Sequence, residues 1–393
     1  MDSRSLSTLG LAISLVCNTL ATFLLCVSMG LNSVVIPFFM ETNEEFSEYA
    51  TSFILAAEFA AAIVFCIYSP KILKKFGVLS CFILSTICRV VPLFLLTLYQ
   101  TPISWFLLSL LLGVGNFSGL LLLQTWINSM PRVRFTGLMT ACYGTAISVG
   151  VAAAPFCLRI MGLSDTQLTI EKCSLPLMVS AYITLGALIP VIISCKMIPM
   201  TEAKKNEKIF TLIQEHLAIM LAIVVCGASF YGTSTYIVIY GMRNNLSIFD
   251  ASLLLSAFML GSLFLESPLA WLTDFFDRNT MLVIFIFACI ITAVCLPLTI
   301  YTPWYARILL FVWGGITGAI FSSSLAMTGD KFHEGDQVTA NSAISLMESV
   351  GAFSATIIIG FTMKHLGTDG LPYTIMIFCM AYITYAVARY KVA

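Results

Sequence analysis

The chain has 393 residues, 59% of them apolar and only 10% charged, with 20 acidic and 20 basic side chains and no formal net charge. No soluble domain of this length can hide so much apolar surface, so the composition excludes a soluble globular protein and points to a bilayer. A neutral chain without a dense basic patch also excludes a nucleic-acid partner.

Apolar runs of roughly the 20 residues needed to cross a bilayer recur along the whole chain. They predict twelve spans: Leu9–Phe38, Ala50–Ser69, Val78–Leu98, Ile103–Asn128, Gly137–Ile160, Leu175–Lys196, His216–Tyr240, Asp250–Trp271, Met281–Ile300, Pro303–Thr328, Val338–Met363 and Pro372–Ala388. Run length and the rarity of strict alternation make these helices rather than strands. The first run is read as a span and not as a cleavable leader, because it is too long and has no basic segment ahead of it. The most polar stretch, Pro199–Phe210, divides the chain into six-helix bundles over 1–196 and 215–393, joined by a linker over 197–214. Lysines and arginines concentrate in the segments that share a side with the N-terminus, which predicts that both termini and the linker are cytoplasmic. The 13 cysteines are scattered singly, with no C-x-x-C pair, and read as small packing residues. The three histidines are far apart, so no metal centre is expected. No nucleotide-binding loop of the G-x-x-x-x-G-K-[ST] type occurs, and no cofactor is expected.

Two short turns between spans resemble each other. Pro70-x-x-x-Lys74-Lys75-x-Gly77 follows the second span, and Ala270-x-x-x-Asp274-x-x-Asp277-Arg278 follows the eighth. They lie about 200 residues apart, which is the signature of an internal structural repeat. Twelve spans, a polar central loop and these paired turns resemble the major facilitator superfamily, whose loop motif is G-x-x-x-D-[RK]-x-G-[RK]. Gln124-Thr125-Trp126-Ile127-Asn128, followed by Arg134 and Gly137, is similar to a bacterial subgroup with Glu-Ser-Trp-Leu-Asn at this place. Gly150-x-x-x-Ala154-Pro155 is similar to the antiporter motif G-x-x-x-G-P without its closing glycines. The resemblance implies alternating access of two helical bundles around a site at mid-membrane. It names no substrate.

In that superfamily the loop after helix two faces the start of helix eleven, and the loop after helix eight faces the start of helix five. Here Lys71, Lys74 and Lys75 would then meet Asp330, Glu334 and Asp336. Asp274 and Asp277, with Arg278 beside them, would meet Arg132 and Arg134. The complementary signs predict a cytoplasmic gate. Helices one, four, seven and ten would line the cavity, with Asn32, Asn116, Gln124, Tyr231, Tyr236, Tyr240 and Trp313 as candidate solute contacts. That lining is neutral, aromatic and hydroxyl-rich, so multiply anionic solutes are not expected.

Charge inside hydrocarbon costs several kcal/mol unless it is paired or wet, so an ionisable residue within a span is a functional candidate. Four stand out. Glu58 and Arg89 lie at similar depths on consecutive spans and are expected to form an intramembrane ion pair. Glu348 lies near the middle of its span without an evident basic partner, which makes it the first candidate for proton coupling; Glu266 is the second. The expected function is a secondary transporter of a small neutral or amphipathic solute, coupled to protons and acting as a monomer in the bilayer of a bacterial inner membrane. The alternatives are an uncoupled facilitator and a non-transporting membrane receptor or scaffold. A membrane enzyme would need a convergent polar cluster that the sequence does not show.

Overall fold

The computed structural model describes residues 8–128, 130, 136–163, 170–194, 209–273, 275–329 and 337–390. The helices that can span a membrane are α1 (Gly10–Thr42), α2 (Glu48–Ser69), α3 (Lys75–Leu98), α4 (Pro102–Ile127), α6 (Ser174–Ile193), α7 (Leu217–Arg243), α8 (Ile248–Leu272), α9 (Arg278–Thr299), α10 (Pro303–Thr328), α11 (Ser342–Leu366) and α12 (Gly370–Ala388). Between α4 and α6 the helices Ala141–Ala152 and Ala154–Ile160 are bent by 47° at a one-residue break. Counted as one span, α5, this pair completes twelve among the described residues. Together they form an all-helical membrane bundle.

The break in α5 has a local cause. Pro155 has no N–H to donate to the carbonyl of Val151 four residues back, so the helical ladder is interrupted there. That carbonyl lies against α1, where Gly30 takes its place: a Cβ on Gly30 would sit 2.5 Å from Val151 O. The bend and the close approach therefore occur at one point.

The internal repeat is written into the caps and crossings. Ser47 caps α2 by accepting from the Ala50 N–H at 3.2 Å, and Ser247 caps α8 by accepting from the Asp250 N–H at 3.1 Å. Both serines have the extended backbone of an N-cap, φ −64°, ψ 154° and φ −61°, ψ 155°. At the other end of the same spans the two copies solve one problem differently. Gly77 turns the chain between α2 and α3 with a left-handed φ of 73°. Asp277, about 200 residues on, instead caps α9 with its side chain, accepting from the Thr280 N–H and hydroxyl, each at 2.8 Å. These hydrogen bonds, that from the backbone foremost, hold the Asp277 carboxyl below the usual carboxylate range.

Glycines let helices cross backbone to backbone, again in matched pairs. A Cβ on Gly150 of α5 would lie 2.9 Å from Phe23 O of α1, and one on Gly351 of α11 would lie 2.1 Å from Val224 O of α7. Likewise Gly113 of α4 rests on Glu58 of α2, and Gly314 of α10 rests on Phe258 of α8. Small residues at helix interfaces are how membrane bundles gain close van der Waals packing without a hydrophobic driving force.

Candidate functional site

The turns α1–α2, α7–α8 and α11–α12 lie together at one end of the bundle. Here a charged clamp joins the two parts of the chain. Arg243, at the end of α7, grips Glu41 of α1 through two nitrogens, Nε to Oε1 at 2.6 Å and Nη2 to Oε2 at 3.0 Å. Its Nη2 is also 3.3 Å from Glu48 of α2. Arg243 and Glu41 are each about one-fifth exposed (21% of the side chain), so the pair is sheltered but not dry. A cleft beside it is lined by Tyr236, Ser52 and Gly360. Next to it Tyr49 of α2 shares a 3.2 Å hydrogen bond with His365 of α11, and Lys364 lies over the Tyr49 ring at 3.5 Å. Arg159 of α5 stacks on Phe249 of α8 at 5.5 Å, and Ser256 of α8 donates to the Ala152 carbonyl at 2.8 Å. Neither Glu41 nor Arg243 is among the residues singled out from the sequence. The signal that joins them was present: spans one and seven are repeat-related and end in opposite charges.

Deeper in the bundle, Arg89 of α3 is fully buried. Its Nη2 donates to the Leu25 carbonyl at 2.9 Å and to Ser28 Oγ at 3.2 Å, both on α1. Ser28 continues the chain of contacts to Ser180 (2.7 Å) and Thr184 (2.9 Å) of α6, and Ser180 donates to Asn32 Oδ1 at 2.8 Å. The Nε and Nη1 of Arg89 have no hydrogen-bond partner among the described residues. Glu58 turns elsewhere, accepting from Asn116 Nδ2 of α4 at 3.0 Å. The direct Glu58–Arg89 pair expected from depth is therefore not made. Arg89 faces α1 and Glu58 faces α4, although electrostatic attraction between them persists.

Glu348 is half-buried, and its backbone carries the contact with α7: a Cβ on Gly227 would meet Glu348 O at 2.1 Å. Cys66 of α2 and Cys226 and Tyr231 of α7 lie within its electrostatic reach. No cation among the described residues is close enough to neutralise it. One helical turn from Gly227, Tyr231 enters an aromatic group: its ring centroid is 5.3 Å from Phe59 of α2 and 6.0 Å from Phe117 of α4, which are 5.8 Å from each other. Glu266 is held on α8 between Ser262, donating at 3.1 Å, and Ser322 of α10.

Two of the expected cavity residues are packing residues instead. Trp313 is fully buried, and its indole N–H donates to Ser229 Oγ (3.0 Å) and Cys289 Sγ (3.1 Å), so it fastens α10 to α7 and α9. Tyr240 is fully buried at the clamped end, with its hydroxyl toward Asp369 at 3.5 Å. Tyr236 lines the cleft beside the clamp, and Asn32 belongs to the Ser180 network. Gln124 is half-buried on α4. Of the expected gate, Lys71 and Lys75 are exposed, with Lys75 over the ring of its neighbour Phe76 at 5.2 Å. Asp277 caps its own helix, and Arg278 is the first residue of that helix. Asp274, Arg132, Arg134, Asp330, Glu334, Asp336 and the side chain of Lys74 lie outside the described residues.

Comparison with known proteins gives one family. Its model, the Major Facilitator Superfamily, matches residues 18–356 and, a second time, residues 217–392. The chain is 25% identical over 361 residues to the uncharacterized MFS-type transporter YfkF of Bacillus subtilis (strain 168), covering 88% of each protein. Among solved structures, a mutant of the nucleoside transporter NupG superposes with a TM-score of 0.75 at 13% identity, over 95% of this chain and 98% of the other. A bacterial homolog to the human lysosomal transporter Spinster, inward-facing and unoccupied, superposes with a TM-score of 0.67 at 15% identity, over 98% of this chain and 97% of the other. With the family model spanning most of its length and its fold shared with these structures, the chain belongs to the Major Facilitator Superfamily and is a multi-pass membrane transporter of that kind.

Proposed function

We propose that the protein moves a small amphipathic solute across a bacterial inner membrane as a proton-coupled monomer, by alternating access between a bundle over 1–196 and a bundle over 215–393. Glu348 supports this reading most directly. It is a carboxylate well inside α11, beside both α2 and α7, and no cation among the described residues offsets its charge. A carboxylate so placed holds either a proton or a positively charged guest, and rocking of the bundles exposes it to one side of the membrane and then the other. The titratable groups that face it are Cys66, Cys226 and Tyr231. Glu266, already bonded to two serines, is a second proton site. In this reading both termini are cytoplasmic, the clamp of Arg243 with Glu41 and Glu48 seals the outer side, and the solute site opens inward. In the opposite state the loop charges around Lys71, Lys74 and Lys75 would close the inner side against Asp330, Glu334 and Asp336.

The test is proton movement in proteoliposomes containing the purified protein and a lumenal pH dye. Addition of a transported solute moves protons in the native protein. Glu348→Gln abolishes that proton movement, and whatever solute exchange remains no longer depends on pH. Proton movement undiminished in Glu348→Gln removes Glu348 from the coupling step. Solute flux without any proton movement in the native protein makes it an uncoupled facilitator.

A further inference from the structure

Three features meet beside Glu348 that an ordinary packing site does not combine. The first is Glu348 itself, a half-buried residue whose carboxylate has no neutralising cation among the described residues. The second is the aromatic group of Tyr231, Phe59 and Phe117, in which the tyrosine comes from α7 and the phenylalanines come from α2 and α4. The rings therefore straddle the line along which the two bundles meet. They stand at edge or tilted angles of 60°, 52° and 68° to one another, and Phe230 meets Tyr231 at 5.2 Å and 80°, so no two of these rings are stacked face to face. The third is sign. Of the four ionisable residues first singled out within the spans, three are glutamates, and the one cation, Arg89, is turned to α1, where its Nη2 donates to Leu25 and Ser28. Aromatic faces beside a carboxylate attract positive charge and bury apolar surface at the same time.

We propose that the solute is an organic monocation, an amine or quaternary ammonium with an apolar or aromatic body, whose charge lies between Glu348 and the rings of Tyr231 and Phe117. This rests on the transporter reading and narrows its solute. It also joins solute to coupling, since one carboxylate cannot hold a proton and a cation together. Gly227 fixes the geometry: with no side chain there, α11 approaches α7 closely enough to bring Glu348 within a turn of Tyr231.

The experiment uses the full chain in lipid nanodiscs and two probes of similar bulk, the cation tetraphenylphosphonium and the neutral triphenylphosphine oxide. Equilibrium binding to the native protein is expected to be saturable for the cation and at least about tenfold weaker for the neutral probe. Glu348→Gln and Tyr231→Leu are each expected to weaken the cation by about tenfold or more, while Glu348→Asp, which keeps the charge, stays within about threefold. Unfolding temperatures of all variants are measured alongside, so that a misfolded variant is recognised; if Glu348→Gln misfolds, Tyr231→Leu and the pH dependence of cation binding to the native protein decide the matter. Lowering the pH is expected to displace the cation from the native protein but not to change the residual binding of Glu348→Gln. Equal affinity for both probes, or a cation affinity unchanged in Glu348→Gln, overturns the proposal. Hydrogen exchange at the Glu41–Arg243 end separates this failure from that of alternating access. If that end opens in Arg243→Ala while no cation binds, only the cation proposal falls; if it neither opens nor binds, both readings fall.

Discussion

Replacing Arg243 by alanine removes the strongest bond described between the two parts of the chain. In the native structure the guanidinium makes two charge-assisted hydrogen bonds to Glu41 and a longer contact to Glu48. A hydrogen bond to a charged group contributes about 1.5–3 kcal/mol when sheltered, and an exposed ion pair no more than ~1 kcal/mol. With about one-fifth of each side chain open to solvent, a value of about 2 kcal/mol for the clamp is reasonable. At 1.4 kcal/mol per tenfold, the ratio of closed to open forms at this end should fall roughly 30-fold. Hydrogen exchange read by mass spectrometry is a direct assay, because opening frees the first turn of α2 and the last turn of α7 to exchange. Faster uptake is expected in peptides covering residues 41–52 and 236–247, with Arg243→Lys intermediate because it keeps the charge and loses the fork. A double-mutant cycle with Glu41→Gln should show coupling of about 1 kcal/mol or more. Native exchange rates in Arg243→Ala, or strictly additive single effects, would refute the assignment of the clamp as the seal.

Gly314→Ala forces a methyl to within 1.9 Å of the Phe258 carbonyl oxygen, and overpacking of this kind costs about 1–3 kcal/mol. Its unfolding temperature should drop by several degrees, whereas Gly144→Ala, with nothing within 4 Å, should leave it unchanged. Asp277→Ala removes the α9 cap and should cost about 1 kcal/mol, read as a lower unfolding temperature at neutral pH. Because the folded-state pKa of Asp277 lies below its ordinary value, this contribution is present above about pH 4 and is lost as pH falls through the lower folded value. The gap between native and Asp277→Ala should therefore close in strongly acidic buffer, and a gap that persists there would refute the capping argument. Ser180→Ala removes the bridge between Ser28 and Asn32; it should loosen α6 from α1 by about 1 kcal/mol, seen as faster exchange in α6.

The spans were legible because hydropathy reports burial in lipid directly. Depth along a helix was legible too, since it follows from counting residues. Direction around the helix was not. Glu58 and Arg89 were placed at one level, but the level does not say that one faces α4 and the other α1. The same gap misassigned Trp313, whose side of α10 carries its indole into the contact with α7 and α9. The bend in α5 was half visible: Pro155 marks an interrupted ladder, but nothing near it marks the packing of the bent segment on Gly30, more than a hundred positions away in the chain. The clamp at Arg243 was not legible because a charge at a helix end is at home in water, and nothing local marks which such charges meet across the fold. Glu348 was legible for a simple reason: it is a carboxylate placed well away from any lysine or arginine in its own helix, and folding brings no described cation close enough to neutralise it.

The glycine crossings divide the contacts of this molecule into two kinds. Backbone meets backbone where α1 crosses α5, α2 crosses α4, α7 crosses α11 and α8 crosses α10. Between the two repeats, side chains enter every contact described: an arginine fork, a tyrosine on a histidine, a serine on a carbonyl, Ser52 against the bare backbone of Gly360, rings edge to face. Side chains swing aside within a rotamer change; backbones held at contact do not. A wedge-shaped inhibitor or antibody loop entering beside Tyr49 would thus need to defeat only polar tips and ring edges, and it would spread the protein like a book whose pages are glued and whose covers are merely clasped.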